Sequence, residues 1–243
     1  MYKGELSITG YKKLLKSFLK IGYKSIKYEK VNKVKKHLII RHDVDFLPED
    51  TLILSKIEKS LMLKSYYFFL VNTDFYNIQS DKCRNIINIL QKNGHEIGLH
   101  FDCKLYKEEK IIEKKAANEC KFLESITGKK VNIISFHRPN EIMLNRKKKI
   151  AGRMHTYMPN FFKNISYSSD SGGYWKYGNP LSQDCIRSKQ ALQLLTHAEW
   201  WQSKFNINRS KKIKNIIKKI NTNTLNSLQL NLTSFSTSKK DFF

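Results

Sequence analysis

Apolar positions along this chain alternate between two periods. Over residues 9–21, Leu14, Leu15, Phe18 and Leu19 share one side of a 3.6-residue turn; the spacing predicts a first helix, with Thr9 as a candidate cap and Gly22 as a stop. Residues 37–42 form a short apolar run that predicts a buried strand and leads into Asp43-Val44-Asp45. Helical spacing returns over 49–63 at Ile53, Leu54, Ile57 and Leu61, and an aromatic strand is predicted over 66–71. Cys83, Ile86, Ile87 and Leu90 mark a second long helix, closed by Asn93-Gly94, before a strand over 96–100. Ile112, Ala116, Cys120 and Leu123 mark a third, closed by Gly128, before a strand over 131–136. Residues from about 140 to 190 lose this regularity, and 190–196 predict one more strand. Strands alternating with helices of this length predict parallel strands joined by crossover helices.

Past residue 206 the chain changes character, turning to Lys, Asn, Ser and Thr. Residues 210–220 predict a basic helix with Ile213, Ile216, Ile217 and Ile220 on one face, and 221–243 read as weakly ordered. The domain reading is therefore a main domain over 1–205 and a basic, partly disordered C-terminal extension over 206–243. The basic helix could dock on the main domain with its lysines solvated, or make a peripheral contact with an anionic membrane.

Length and composition narrow the class. With 243 residues, 40% apolar and 12% aromatic, the chain can bury a real core, which excludes wholesale disorder. No apolar run is long enough for a transmembrane helix, and the N-terminus lacks a secretory apolar region, so a cytoplasmic location is expected. The formal net charge of +24 would suit nucleic acid, anionic lipid or an anionic substrate. The basic residues are spread along the chain and no zinc-knuckle, RNP-like or helix-turn-helix pattern accompanies them, so no specific nucleic-acid partner is expected. Cys83, Cys103, Cys120 and Cys185 form no C-x-x-C pair and read as free, buried thiols.

The strand ends carry the candidate chemistry. Four predicted strands run into Arg41-His42-Asp43-Val44-Asp45, His100-Phe101-Asp102, His137-Arg138-Pro139 and Thr196-His197-Ala198-Glu199. Residues two apart on an extended segment point the same way, so Asp43 and Asp45 face one space, where they repel unless a cation or proton lies between them. With His100 nearby, a divalent metal answers that repulsion. Carboxylate oxygen and imidazole nitrogen suit zinc, and also manganese, iron or cobalt. The competing reading is that the aspartates cap the following helix. His42 alternates to the far side of its strand, Arg41 could share a face with Asp43 or form an ordinary ion pair, and His95 reads as a turn or surface residue. Trp200 and Trp201 could stack on a bound ring or pack the core.

Taken in order, RHDVD, GHEIGLH, SFHRP, DSGGYW and LTHAEWW resemble the polysaccharide deacetylase (NodB-type carbohydrate esterase) superfamily. More narrowly, they are similar to the deacetylase-like branch of bacterial surface-polysaccharide clusters, over roughly residues 10–201. The resemblance implies an α/β fold, a distorted (β/α) barrel of about seven parallel strands with an N-terminal helix, and metal-dependent removal of an acetyl group from a sugar. The substrate would be an acetylated polysaccharide or its nucleotide- or lipid-linked precursor. It assigns Asp43 as general base, Asp45 and His100 as metal ligands, Arg138 as the arginine that orients the base, Asp170 as the aspartate that tunes the acid, Trp175 as a wall and His197 as general acid. Trp200 is a further candidate for sugar contact. Val44 separates two aspartates that are adjacent in the superfamily. Lys104 stands where its second metal histidine lies, which makes His137 the substitute ligand, with Asp102 as runner-up. A relative with diminished catalysis that only binds saccharide, or a hydrolase of another C–N bond, would share these features.

Overall fold

A computed structural model describes residues 2–232. In chain order its elements are α1 (Ile8–Lys20), β1 (Lys24–Ser25), β2 (His37–Val44), α2 (Thr51–Ser60), β3 (Tyr66–Leu70), α3 (Asp81–Lys92), β4 (Glu96–Asp102), α4 (Glu109–Thr127) and β5 (Ile133–His137). There follow α5 (Glu141–Leu144), β6 (Met154–His155), α6 (Pro159–Phe162), β7 (Ser166–Ser169), α7 (Asp184–Arg187), β8 (Leu192–Thr196) and α8 (Arg209–Asn231). The chain divides into two compact units, one through Asn206 and one from Ile207.

Every strand pairing is parallel, and seven strands run in the order β6-β5-β4-β3-β2-β8-β7, with β1 added beside β2. This is a curled, distorted (β/α) barrel whose two end strands do not pair. The long crossover helices fall where the apolar spacing places them. The irregular stretch from 140 to 190 hides two short strands, β6 and β7, because two to four residues are too few to show a period. Helix α1 is capped by Ser7, whose side chain accepts from the Gly10 N–H, rather than by Thr9, whose hydroxyl donates to the Lys204 carbonyl. The C-terminal helix runs on through Asn231, past the expected end at 220, with the Asn208 side chain capping its start. Residues 233–243 lie outside the described part.

Alternation along each strand sorts side chains to two faces. On the outer face, Val44, Phe69, Leu99, Phe101, Ile134 and Phe136 pack on α3 and α4 through Ile86, Ile87, Leu90, Ala116 and Leu123. Each such buried side chain stabilises the fold by about 1.5–3 kcal/mol before entropy is counted. On the inner face, Ile39, Phe68 and Ile133 cluster with Tyr28 and Phe161 and plug the barrel. Gly98 is required there, since a Cβ would meet the Phe68 ring at 2.4 Å. The register aligns Asp43 with Phe68, Leu70 with His100, His100 with Ser135, and Asp102 with His137, so the polar ends of β2, β4 and β5 arrive on one rim.

Candidate active site

Above the apolar plug the inner face turns polar in steps set by the period of two. Arg41 comes first and is fully buried. Its Nη2 donates to Asp43 Oδ2 at 2.7 Å and to Ser135 Oγ at 2.9 Å, and its guanidinium lies over the rings of Phe68 and Tyr157 at 5.9 and 5.3 Å. Ser135 Oγ donates in turn to Asp43 Oδ2 at 3.1 Å. Burial raises the Asp43 pKa, but Arg41, His100 and His197 outweigh it and hold the carboxyl below its ordinary value. Asp43 Oδ1 is buried with no hydrogen-bond partner among the described residues.

The next step is a cluster of donors. Asp45 Oδ1 lies 3.2 Å from His100 Nε2 and 3.6 Å from His137 Nδ1. His100 Nε2 and His137 Nδ1 are 3.1 Å apart, and one ligating atom from each of the three residues falls within 4.8 Å of the others. Against burial, the imidazoles of His100, His197 and His137 keep Asp45 well below the usual carboxylate range. Burial and His100 together push His137 down, favouring a neutral ring that can ligate. His100 Nδ1 sits 3.3 Å from the Ser135 carbonyl; a proton there leaves the Nε2 lone pair facing the cluster. Asp45 Oδ1 is itself buried with no hydrogen-bond partner among the described residues. One carboxylate oxygen and two imidazole nitrogens this close together fit a divalent metal.

Opposite stands His197. Its Nδ1 is 2.7 Å from Asp170 Oδ1, and Asp170 also accepts from the His197 N–H at 3.0 and 3.1 Å and from Trp201 Nε1 at 2.7 Å. Burial would lower the His197 pKa, yet Asp170, Asp45 and Glu199 raise it to about 10. His197 Nε2 lies 3.9 Å from Asp45 Oδ2. A cavity of about 330 Å³ opens over these groups, with Asp43, Asp45, His100, His137, His197 and Trp200 in its walls. A second hollow of about 430 Å³, sharing Asp45, His137 and Arg138, adjoins it on the side of Asp74 and Phe75.

The structure thus brings Asp43, Asp45, His100, His137, His197 and Trp200 to one cavity and sets Asp170 behind His197. Two assigned residues sit elsewhere than the resemblance implies. Arg138 does not reach Asp43; with φ at +49° it leaves the strand line and its guanidinium pairs with both Asp102 oxygens, while the arginine against Asp43 is Arg41. Trp175 is no wall of the cavity; it packs edge-on against Trp201 at 5.8 Å and donates to the Tyr2 hydroxyl at 2.8 Å. Asp102, bound to Arg138 and to the Lys104 N–H, stands outside the donor cluster, and Lys104 is exposed. Ser135 and Glu199 went unassigned in the sequence. Ser135 follows from His137 by the period of two, whereas Glu199 sits on a 3-10 turn, Ala198–Trp201, that no period marks. Burial pushes Glu199 up to about 8, with His197 opposing and Asp45 adding to the rise.

No protein-family model matches the sequence, and no curated protein matches it. Solved structures do. The deacetylase PplD of Streptococcus pyogenes, in complex with acetate, aligns with a TM-score of 0.50 at 11% identity over 80% of this chain and 82% of that one. The chitin deacetylase of the fungus Colletotrichum lindemuthianum aligns at 0.46 and 14% identity over 75% and 81%. A family 4 carbohydrate esterase pseudoenzyme of Bacillus anthracis aligns at 0.42 and 14% over 79% of this chain and 62% of its own, so this chain spans under two thirds of that relative's length. The fold is shared with the deacetylase PplD. At the rim of that fold this chain places an Asp-His-His cluster able to hold a metal ion.

Proposed function

We propose that this chain is a metal-dependent hydrolase that removes the acetyl group from an N-acetylated sugar, in a polysaccharide or in its nucleotide- or lipid-linked precursor. The observation that carries the reading is the convergence of Asp45, His100 and His137 beside a buried Asp43 and opposite the His197–Asp170 pair. Asp45, His100 and His137 would hold the ion, zinc by donor chemistry, which when bound polarises the acetyl carbonyl and acidifies a water. Asp43, kept ionised by Arg41, takes the proton of the attacking water on its unpartnered Oδ1. His197, held through Nδ1 by Asp170, protonates the leaving amine from Nε2, a step worth ~10²–10⁴-fold. The C–N bond breaks, and acetate and an amino sugar leave. A chain working in the cytoplasm would meet that sugar as an activated or lipid-linked precursor.

The test is acetate release from N-acetylglucosamine oligosaccharides and from UDP-N-acetylglucosamine, with zinc, cobalt or manganese supplied. Release that a chelator stops is expected. A protein that binds metal and saccharide but releases no acetate would fit the diminished relative instead, and one that binds neither would overturn the proposal.

We further propose a peripheral contact with anionic membrane through α8. No described helix is long and apolar enough to cross a membrane. Residues 209–219 nevertheless carry six cations and no acid, and Ile213 and Ile217 are exposed on the same helix. Sedimentation with phosphatidylglycerol vesicles but not phosphatidylcholine vesicles is expected for the full chain, and loss of it in the Ile213→Glu, Ile217→Glu variant. Equal sedimentation by both proteins would remove this contact.

A further inference from the structure

Three carboxyls line the cavity, and they are not held alike. Arg41 and Ser135 tie Asp43, and two imidazoles face Asp45. Glu199 is 5% exposed and its Oε1 has no hydrogen-bond partner among the described residues. Its position is nonetheless fixed. The Trp200 N–H donates to the His197 carbonyl at 3.1 Å, and the Gln202 side chain donates to the carbonyls of Ala198 at 2.7 Å and Asp50 at 3.0 Å, pinning the turn at both ends. Trp200, beside it in the chain, is held against Gly173, where a Cβ would meet the indole at 3.0 Å.

A buried acceptor without a donor costs stability in the free protein, and such costs persist where a ligand supplies the missing donor. The cavity already provides for the acetyl group and the departing nitrogen. What remains is an acceptor next to a flat apolar ring, which matches a pyranose, with hydroxyls on its edge and C–H bonds on its face. We propose that Glu199 and Trp200 form the sugar-ring subsite of this cavity, Glu199 Oε1 accepting a hydrogen bond from a ring hydroxyl while Trp200 packs against the ring. The subsite rests on the deacetylase reading and adds the class of its recognition: the ligand must present a free hydroxyl near the acetylated nitrogen.

The test uses the full chain and reads saccharide affinity by tryptophan fluorescence, with N-acetylglucosamine and N-acetylgalactosamine oligosaccharides and UDP-N-acetylglucosamine as probes. Glu199→Leu is expected to weaken the best probe about 3- to 10-fold, the range for a lost hydrogen bond, and to raise the melting temperature by removing an unpartnered buried carboxyl. Glu199→Gln keeps an acceptor and is expected within about threefold of the unaltered protein. Unchanged affinity in Glu199→Leu, or loss of affinity accompanied by a lower melting temperature in both variants, overturns the subsite. Binding that depends on Glu199 without acetate release keeps the subsite and removes the hydrolysis. Absence of saccharide binding by the unaltered protein overturns both.

Discussion

Strand β2 separates two buried sets of carboxylates and histidines, and they are built on opposite terms. Outward-facing His42 meets Glu58 on α2 at 2.7 Å, and Glu58 also accepts from Tyr11 and, at 2.7 and 2.8 Å, from Ser65 and Tyr67. Both Glu58 oxygens carry two partners. One residue further along, inward-facing Asp43 begins the other set, in which Asp43 Oδ1, Asp45 Oδ1 and Glu199 Oε1 have none among the described residues. The outer set is closed off within the fold, whereas the inner set lines the cavity. A satisfied buried carboxylate fastens helix to strand; an unsatisfied one on a rigid rim is kept for something that is not part of the chain.

The comparison breaks most sharply under substitution. Asp45→Ala removes one of three converging donors, and is expected to lose bound metal together with turnover, by ~10³-fold or more (about 4 kcal/mol). Asp43→Asn is expected to lose turnover on a similar scale while still binding metal, because Asp43 is not among the three donors. Metal content by elemental analysis beside acetate release reads both. Metal retained in Asp45→Ala, or turnover retained in Asp43→Asn, would dissolve the division of labour within the inner set. Asp45→Ala is expected to leave the melting temperature little changed, whereas Asp43→Asn, which leaves buried Arg41 without its counter-charge, is expected to lower it.

The outer set should answer in the opposite currency. Glu58→Leu leaves Tyr11, Ser65, Tyr67 and His42 without their acceptor in a space with no water, and is expected to cost about 3–5 kcal/mol. Its pH dependence follows from sign. Burial raises the Glu58 pKa, but His42, His95 and Tyr11 more than offset this and bring it to about 2 from 4.5. A carboxyl lowered on folding contributes stability above pH 4.5 that is lost as pH falls toward 2. The melting-temperature gap between the unaltered protein and Glu58→Leu should therefore narrow over that window. A gap constant from pH 6 to 2 would show that Glu58 acts by packing alone.

The sequence was most legible where a period is long. α1, α3 and α4 are visible because ten or more residues repeat a pattern, β2 to β5 because short apolar runs alternate with the helices, and β2 places Asp43 and Asp45 on one face by alternation alone, whereas β1 is too short at two residues to show. His42 was assigned to the far face by the same rule, though its partner Glu58 lies on another element and could not be named. His95, expected in a turn or at the surface, follows the turn at Asn93-Gly94 but is buried, 3.7 Å from Glu58 and 2.9 Å from Ser65 Oγ. β6 and β7 were invisible at two and four residues, and Glu199 was missed because a 3-10 turn has no face to read. Position in a register is readable from a chain; which side chain meets which across elements is not.

Arg138 is where those two kinds of knowledge part, and it sharpens the comparison at its weakest point. Its place after β5 puts it on the correct rim, yet its side chain is 48% exposed and engages Asp102, so it belongs to neither buried set. An ion pair that half-exposed is worth ~0–1 kcal/mol. Arg138→Ala is expected to leave the melting temperature within about 2 °C and to lower kcat/KM by less than tenfold, through the loosened wall shared by the two hollows rather than through Asp43. Arg41→Ala, by contrast, strips Asp43 of its buried cation and should lose activity and stability together. If Arg138→Ala instead matched Asp43→Asn in its loss of turnover, the exposed arginine would have to swing onto Asp43 when substrate binds, and the boundary drawn here between the rim's surface and its buried set would move.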